Sequence, residues 1–333
     1  MTLLSDVPID WSKYAQSAIE FGGITREEAL AVLRADEDEL LAIMDAAFRV
    51  RKHYFGRKVK LNLIVNAKSG LCAEDCGYCS QSRNATAPVK KYPLLEQEVL
   101  VDGARKALEM QAGTYCIVAS GRGPTKRELE QVVSAVEEIK ATMPLKICAC
   151  LGILSSEQAE RLKKAGVDRY NHNLNTSSDH YSHITSTHTY EDRVHTVDVA
   201  KQAGMSPCSG VIIGMGETDE QLVDVAFDLK ELDADSIPVN FLNAIPGTAL
   251  AGLSELTPRR CLKALAMFRL VNPTKEIRAS GGREVNLRSM QVLALYAANS
   301  IFVGDYLTTE GQEAIADYGM IEDLGFEIER CAL

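Results

Sequence analysis

Three cysteines within eight residues are the most distinctive chemical feature of this sequence. Cys72, Cys76 and Cys79 are spaced C-x3-C-x2-C, and thiolates set this closely are typical of iron–sulfur centres. Three protein ligands on a four-iron cluster leave one iron open to a substrate or cofactor. A structural zinc site requires four ligands, usually as two C-x2-C pairs, and this chain has one such pair. A thioredoxin-like redox pair leaves the third cysteine without a role, so the spacing favours a cluster.

Further residues that can do chemistry lie in segments predicted to be buried strands. Such strands are normally apolar, yet these carry a thiol, an amide or a guanidinium, in chain order Cys116, Cys148, Cys150, Asn171, Asn173, Cys208, Asn240 and Arg278. Residues two apart on a strand share a face, so the two thiols of the third strand and the two amides of the fourth point the same way. Taken singly, each has an ordinary explanation: a buried Cys packs as a small apolar residue, an Asn caps or turns the backbone, and an Arg pairs with a carboxylate. Their joint placement on converging strands indicates a site inside a barrel.

The other cysteines and the histidines carry weaker signals. Cys261 and Cys331 are interpreted as structural, and Cys150 as an ambiguous, spare inward thiol. Four histidines lack the spacing of metal ligands: they are His172, His183, His188 and His195. The glycine pairs at 121/123 and 281/282 are interpreted as turns rather than phosphate cradles.

The elements that must position these residues alternate regularly. Short apolar segments predict eight strands, at 61–66, 114–120, 146–150, 169–174, 207–213, 236–242, 276–280 and 299–303. Between them lie amphipathic helices whose starts are marked by capping residues at Ser155, Thr189 and Thr218 and by Pro258. Alternation of this kind predicts parallel β-α units, and the length suits a (βα)8 TIM-type barrel. A doubly wound open sheet is the alternative, because periodicity does not show whether a sheet closes.

The ends of the chain lie outside this alternation. Residues 1–56 are predicted to form an N-terminal helical extension, with a capping box at Thr25 and Glu28. Residues 57–305 form the predicted barrel core, and 306–333 a short C-terminal tail packed outside it. Three helices end in Ala-Gly, so Gly113, Gly166 and Gly204 are expected in the left-handed position that follows a helix.

Composition limits the classes of function. The 333 residues are 46% hydrophobic and carry a net charge of −10 without a basic run, which argues against a nucleic-acid or anionic-membrane surface. The N-terminus does not resemble a signal peptide, and no apolar run is long enough to span a bilayer. A cytoplasmic protein is therefore expected. Nine cysteines in that reducing compartment indicate metal binding or catalysis rather than disulfides.

The cysteine triplet resembles the radical S-adenosylmethionine (AdoMet) superfamily, and longer segments resemble one family within it, the biotin synthases. Between about Leu61 and Thr309 these segments follow in one order: CAEDCGYCSQS, YNHNLNTS, CSGVIIGMGE, SIPVNFLNAIPGT, IRASGGRE and AANSIFVGDYLTT. The resemblance implies a sulfurtransferase that inserts sulfur into dethiobiotin, the last step of biotin biosynthesis. It also implies that about 235–305 correspond to the biotin/thiamin synthesis associated region.

The resemblance assigns two sets of cluster ligands. Cys72, Cys76 and Cys79 match the ligands of a [4Fe-4S] cluster that binds AdoMet. A second, [2Fe-2S], cluster supplies the sulfur, and its ligands match Cys116, Cys148, Cys208 and Arg278. Packing does not explain a guanidinium on the same inner face as three thiols, since an unpaired buried cation is costly; we expect that cluster to account for Arg278.

The resemblance also assigns residues to AdoMet and dethiobiotin. Tyr78 matches a residue near the adenine, and the segment 210–217, with Gly214 and Glu217, matches the strand that backs the adenosine. Asn175 stands where some members carry Asp against the ribose; the amide keeps one acceptor oxygen and loses the charge. Asn171 and Asn240 are expected to grip the ureido ring of dethiobiotin, with Asn173 bridging toward AdoMet, because amides satisfy both donors and acceptors. Backbone amides near Thr308 and Thr309 are expected to take the substrate carboxylate.

The family further implies a homodimer and a low-potential electron donor of flavodoxin or ferredoxin type. Two other classes stay open. Another radical AdoMet enzyme of the biotin/thiamin synthase-like group would share the first cluster but need not have the second ligand set. A non-enzymatic iron–sulfur or zinc protein would leave the three asparagines on inner strands unexplained.

Overall fold

A computed structural model describes residues 9–253 and 256–330, so the expectation for Cys331 lies outside the described residues. The helices are α1 (Trp11–Phe21), α2 (Arg26–Arg34), α3 (Leu40–Phe55), α4 (Gln97–Glu109), α5 (Lys126–Thr142), α6 (Ser156–Ala165), α7 (Ser178–Tyr181), α8 (Tyr190–Gln202), α9 (Asp219–Glu231), α10 (Pro258–Val271), α11 (Arg283–Leu287), α12 (Ala294–Ala297) and α13 (Ala314–Asp323), with 3-10 turns at Glu37–Glu39 and Arg288–Leu293. The strands are β1 (Lys58–Lys68), β2 (Thr114–Ala119), β3 (Lys146–Cys150), β4 (Arg169–Asn171), β5 (Ser206–Cys208), β6 (Val211–Ile213), β7 (Ser236–Phe241), β8 (Glu276–Ala279), β9 (Ser300–Phe302) and β10 (Glu327–Ile328).

The strands close into a parallel barrel. Their order is β1-β2-β3-β4-β5-β7-β8-β9, and β9 pairs with β1 through Lys60↔Ser300 and its neighbours. This closure confirms the (βα)8 prediction and rules out the open doubly wound sheet. All the pairings are parallel, so the carboxyl ends of the strands meet at one mouth, where barrels of this class place their sites.

The fifth barrel strand differs from the prediction. The segment 207–213 is expected as one strand, but β5 ends at Cys208 and β6 starts at Val211. The break falls at Gly210, where a Cβ would overlap the carbonyl of Pro238. The two strands therefore approach closely at this point, and β5 and β6 each pair with β7, through Cys208↔Ser236 and Val211↔Val239.

Helix boundaries follow the sequence signals with one exception. Capping boxes are present at Thr25, Ser155, Thr189 and Thr218, and Pro258 begins α10. Gly166 and Gly204 have positive φ as predicted, but after α4 the left-handed residue is Gln111, with φ 55°. The chain has thus turned before Gly113, whose N–H already donates to Leu61 O at 2.9 Å in the sheet.

The terminal segments pack outside the barrel. The N-terminal helices α1, α2 and α3 lie against α10, and Ile24 N donates to Leu270 O at 3.2 Å. α10 is buried along its length and includes Cys261, away from the barrel mouth. The tail forms α13 and, unpredicted, the strand β10, which extends β1 at Val59↔Ile328. None of the described helices is long and apolar enough to cross a membrane.

Candidate active site

A cavity of about 380 Å³ opens at the carboxyl ends of the barrel strands; we call it the upper cavity. Residues singled out from the sequence line it, together with others that were not. The predicted residues on its wall are Cys72, Cys76, Tyr78, Cys79, Cys150, Asn171, Asn173, Asn175, Asn240, Thr308 and Thr309. Gly214 and Glu217 lie outside the wall that the described residues form. The Glu217 carboxylate accepts from Gly214 N and Met215 N, each at 2.7 Å, and so closes its own turn.

The cysteine triplet lies in the long loop after β1. Its backbone is fixed by Gly77 N, which donates to Ile184 O at 2.8 Å, and by Cys79 N, which donates to Cys76 O at 3.1 Å. All three cysteines are free. Burial raises the pKa of Cys76 and raises that of Cys79 to about 12. Both are therefore thiols at neutral pH without a cation, and a bound metal would convert them to thiolates.

The triplet offers three thiols within one loop as metal ligands. Within residues 9–253 and 256–330, no group of three or more His, Cys, Asp or Glu side chains is close enough to hold one metal ion. The thiols of Cys72, Cys76 and Cys79 nevertheless interact electrostatically. Closely spaced cysteine thiolates are the ligands that hold iron–sulfur clusters, so this donor set fits a [4Fe-4S] cluster.

Two asparagines, on β4 and β7 with β5 between them, line the upper cavity. Asn171 Nδ2 donates to Asn173 Oδ1 at 2.9 Å. Asn240 Nδ2 donates to Val211 O at 2.9 Å, and its Oδ1 accepts from Gly281 N at 3.0 Å. Each bond uses part of the amide's capacity, so Asn240 is oriented while one N–H and one lone pair remain for a ligand.

Tyr78 and Asn175 meet beside the backbone that anchors Asn240, because Asn175 pairs with Val211, whose carbonyl accepts from the Asn240 amide. Asn175 Nδ2 donates to Tyr78 OH at 2.7 Å. The residue has φ 71°, a left-handed conformation that Asn tolerates, and its backbone bridges Gly210 O and Ile212 N. The Asn175 amide is therefore already bound to Tyr78, the aromatic residue within the cysteine triplet.

A buried polar chain in the cavity wall was missed from the sequence. His188 Nδ1 lies 2.6 Å from Glu74 Oε2, and its Nε2 lies 2.9 Å from Arg193 Nη2. Burial and the neighbouring Arg193 lower the pKa of His188, so the ring is neutral. Arg193 also donates to Asn173 O at 2.9 Å. The spacing of the histidines gave no indication of this chain. The one sequence signal for it was Glu74, a carboxylate inside the cysteine loop.

His172 lies in the same wall. Its Nε2 is buried without a hydrogen-bond partner in the described part of the chain. Burial, followed by Arg193, lowers the pKa of His172 well below its usual value. The side chain is therefore a neutral, unengaged donor or acceptor facing the cavity.

A second set of thiols lies deeper in the barrel; we call Cys116, Cys148, Cys208 and Arg278 the thiol layer. Cys116 and Cys148 are register partners on β2 and β3. The Cys148 thiol hydrogen-bonds with those of Cys116 and Cys208, and the bond with Cys116 together with burial raises the pKa of Cys148 well above its usual value. The Arg278 guanidinium lies 4.9 Å from the centroid of the Phe302 ring. Three contacting thiols beside a cation fit an anionic iron–sulfur group.

Arg278 is not an unpaired buried cation, so the cost of burying its charge does not by itself require a cluster. Its Nη2 donates to Glu276 Oε1 at 2.6 Å and to Ser236 Oγ at 3.1 Å, and its Nε donates to Ser300 Oγ at 3.1 Å. Glu276 lies two residues earlier on β8 and so shares the inner face. Nη1 is the one guanidinium nitrogen that makes no hydrogen bond to a described residue.

Cys150 lies between the two levels. It follows Cys148 on the same face of β3 and reaches the cavity wall, and burial raises its pKa to about 12. Asn171 makes the direct link, because its Nδ2 lies 3.3 Å from Cys208 Sγ. The barrel thus contains one thiol set at its mouth and another beneath, with the asparagines between them.

Sequence comparisons cover almost the whole chain. Residues 68–229 match the Radical SAM superfamily, and residues 238–327 match the Biotin and Thiamin Synthesis associated domain. The biotin synthase of Bacillus cytotoxicus is 64% identical over 325 residues, covering 98% of both proteins. That of Geobacillus thermodenitrificans is 65% identical over 320 residues, covering 96% of both.

Solved structures share the fold at much lower identity. Methylornithine synthase (PylB) superposes with a TM-score of 0.83 at 20% identity, covering 95% of this chain and 97% of that one. The hydrogenase maturase HydG from Carboxydothermus hydrogenoformans gives 0.81 at 19% identity, covering 97% and 80%. These likenesses show the barrel, whereas the sequence relatives, 64% identical along nearly the full length, show that this chain belongs to the biotin synthase family of radical AdoMet enzymes.

Proposed function

We propose that this chain inserts sulfur into dethiobiotin to form biotin, with AdoMet bound at the upper cavity and the sulfur drawn from the thiol layer. The observation that carries the proposal is the position of the cysteine triplet at the barrel mouth, with the thiol layer deeper in the barrel. One amide, Asn171, faces the cavity and contacts Cys208 Sγ at 3.3 Å. A substrate held by Asn171 would therefore lie between the radical source and the sulfur source.

In this proposal Cys72, Cys76 and Cys79 hold a [4Fe-4S] cluster, and the thiol layer holds a [2Fe-2S] cluster. When bound, the first cluster with AdoMet supplies radical chemistry that removes hydrogen, and the second supplies the sulfur atom. The product replaces two C–H bonds of dethiobiotin with two C–S bonds. The protein itself binds and orients the cofactors and the substrate, and it excludes water from them.

Several cavity residues suit AdoMet. Arg193 is a half-buried cation on the wall, so it suits the AdoMet carboxylate. Tyr78 supplies a ring near the triplet, and the Asn175 amide bound to it suits the ribose hydroxyls. Asn173, joined to both Asn171 and Arg193, suits a bridge between AdoMet and the second substrate.

Dethiobiotin carries a ureido ring at one end and a carboxylate at the other. Asn171 and Asn240 have the donors and acceptors that the ring requires. Thr308 and Thr309 line the same cavity, and Ser80 hydrogen-bonds Thr308 at 2.8 Å, which ties their loop to the cysteine loop. We place the carboxylate at the backbone of these two threonines.

The proposed function extends to the cellular location, the oligomeric state and the electron donor. Family membership supports a cytoplasmic homodimer reduced by a low-potential flavodoxin or ferredoxin. It also supports the division into a helical extension at 1–56, a barrel core at 57–305 and a tail at 306–333. The associated-domain match runs to 327, and the division stays a prediction.

Isotopic sulfur tests the proposal. The protein is purified without oxygen, its clusters are rebuilt with labelled sulfide, and one turnover with AdoMet and dethiobiotin is analysed by mass spectrometry. Labelled biotin is expected. Unlabelled biotin from a fully labelled second cluster contradicts the sulfur-donor role, and iron and sulfide sufficient for the first cluster alone favour another radical AdoMet enzyme. If the protein binds zinc, or if it binds a cluster but does not cleave AdoMet, a non-enzymatic role is indicated.

A further inference from the structure

A buried ionic group lies one step below the thiol layer; we call Lys60, Arg169, Ser236 and Glu276 the charge layer. Glu276 is at its centre. Its Oε1 accepts from Arg278 Nη2 at 2.6 Å and from Ser236 Oγ at 3.1 Å. Its Oε2 accepts from Arg169 Nη1 at 2.9 Å and from Lys60 Nζ at 3.3 Å. The two carboxylate oxygens are thus divided between Arg278 and Arg169.

Arg169 lies next to the thiols as well as to Glu276. It is the register partner of Cys148 across β3 and β4, and it precedes Asn171 by two residues on the same face. Asn171, on that same face, is the register partner of Cys208, and its Nδ2 lies 3.3 Å from Cys208 Sγ. Two guanidinium groups therefore flank one side of the thiol layer.

The charges in this enclosed region do not balance. The side chains of Glu276 and Arg278 are each 2% exposed and that of Arg169 is 11% exposed, whereas Lys60 lies at the rim within 4.0 Å of Glu329. If Lys60 and Glu329 are counted as a pair, two guanidinium groups remain for one carboxylate. Buried charge in excess is costly unless an anion completes it. An iron–sulfur group ligated by three thiolates is such an anion.

We propose that Arg169 is a positioning residue of the sulfur-donating site. Arg169 occupies one oxygen of Glu276 and leaves the other to Arg278. The Arg278 guanidinium is thereby held against Ser236, Ser300 and the Phe302 ring. Its Nη1 makes no hydrogen bond to a described residue. The charge of Arg169 adds to the positive field on the Cys208 side of the thiol layer. This inference rests on the proposed function, because it concerns the group that the thiol layer would hold.

Charge-changing variants of the reconstituted full-length protein test the inference. Arg169→Gln removes one positive charge, Glu276→Gln removes the negative charge, and the double variant Arg169→Gln/Glu276→Gln restores the net charge. Arg169→Lys keeps the charge without the planar guanidinium. Arg161→Gln is the matched control, because Arg161 pairs with Glu130 and Glu137 outside the barrel.

Two properties are measured besides activity: the reduction potential of the second cluster by anaerobic spectroelectrochemistry, and its rate of loss to an iron chelator. Adding an electron to an anionic group is harder when a nearby cation is removed. Arg169→Gln should therefore lower the potential and Glu276→Gln should raise it, while Arg169→Lys and the double variant stay near the wild type. Loss of the cluster should be about 10–100-fold faster in Arg169→Gln and Glu276→Gln, as for other outer-shell partners of metal sites.

The outcomes separate this inference from the proposed function. Opposite shifts in potential for Arg169→Gln and Glu276→Gln support it, since a purely structural role would not reverse sign with charge. If Arg169→Gln has the same reduction potential and the same rate of cluster loss as Arg161→Gln, the inference is overturned. The proposed function is then unaffected. If Arg169→Gln does not fold, Arg169→Lys and the double variant decide: a potential far from the wild type in both overturns the inference. Wild-type protein without a second cluster overturns both proposals.

Discussion

The side-chain nitrogen of Asn171 lies 3.3 Å from the sulfur of Cys208, and this contact joins the upper cavity to the thiol layer. The same nitrogen donates to Asn173 Oδ1 at 2.9 Å. Because Asn171 is the register partner of Cys208 across β4 and β5, the parallel ladder itself sets this geometry. A ligand bound through Asn171 would thus be placed within reach of the deeper thiols by the barrel backbone.

Asn240, which lines the same cavity as Asn171, gives a direct prediction for substrate binding. We expect Asn240→Ala to weaken dethiobiotin binding by about 1–3 kcal/mol, because it leaves a buried polar group of the substrate unpaired. That is roughly 5- to 150-fold in Kd. Titration with dethiobiotin in the presence of AdoMet measures it. Asn272→Ala is a control, since Asn272 is also a buried amide but contacts Ala226 O away from the cavity; wild-type affinity in Asn240→Ala would remove that residue from the site.

The cysteine triplet predicts loss of chemistry without loss of fold. Cys76→Ala should abolish formation of 5′-deoxyadenosine under a strong reductant and leave the circular dichroism spectrum unchanged, because the triplet lies in a loop after β1. Cys261→Ala is the matched control, since Cys261 is fully buried in α10. It should keep AdoMet cleavage, and product formation by Cys76→Ala would refute the assignment of the first cluster.

The deeper thiols predict a different phenotype. Cys148→Ala should keep the first cluster and part of the AdoMet cleavage but form no biotin, because the sulfur source is lost while the upper cavity is intact. Cys150→Ala tests the neighbouring thiol on the same face of β3 and should retain iron for both clusters. Iron and sulfide analysis with biotin quantification distinguishes the two variants. Biotin formed by Cys148→Ala would exclude this residue from sulfur transfer.

Buried neutral histidines predict a pH dependence of stability. Burial, with Arg193 next, lowers the pKa of His172 and of His188 below the usual value of 6.5. The unfolded chain therefore binds more protons than the folded one just below pH 6.5, and the free energy of unfolding should fall as pH drops through that value. The slope is at most about 1.4 kcal/mol per pH unit for each histidine.

Urea unfolding of the cluster-free protein between pH 5 and 7.5 measures this slope. His172→Gln should flatten the profile, whereas His195→Gln, at an exposed position on α8, should not. Identical profiles for the wild type and His172→Gln would contradict a buried neutral ring at this position.

A buried ion pair ties the C-terminal tail to the barrel mouth. Arg283 Nη1 lies 2.8 Å from Asp317 Oδ1, and Arg283 Nη2 lies 2.8 Å from Glu284 Oε1, which also accepts from Tyr306 OH at 3.2 Å. Asp317→Asn should destabilise the protein by about 1–3 kcal/mol, because it weakens the fully buried contact of the guanidinium while the pair with Glu284 remains. Urea unfolding checks this, with the exposed Asp45→Asn, which breaks the pair with Arg49, as control.

Patterns that act over a few residues were predictable from the sequence. The spacing of Cys72, Cys76 and Cys79, the capping boxes such as Thr25 with Glu28, and the strand–helix alternation depend on neighbours along the chain. The long segments shared with one family identified that family, and the sequence comparisons agree with them. These features specify element types and candidate ligands because their energetics are local.

Contacts between distant segments were decided by the tertiary structure. Closure through Lys60↔Ser300 and the break at Gly210 depend on how strands from different parts of the chain approach one another. The pairing of Arg278 with Glu276, two residues away, was not evident from the sequence, because Glu276 is also held by Arg169 and Ser236 from other strands. The His188–Arg193–Glu74 chain likewise forms only when α8 packs over the cysteine loop. A buried charge is stabilised by whatever the register places opposite it, and register is a property of the closed barrel rather than of any one segment.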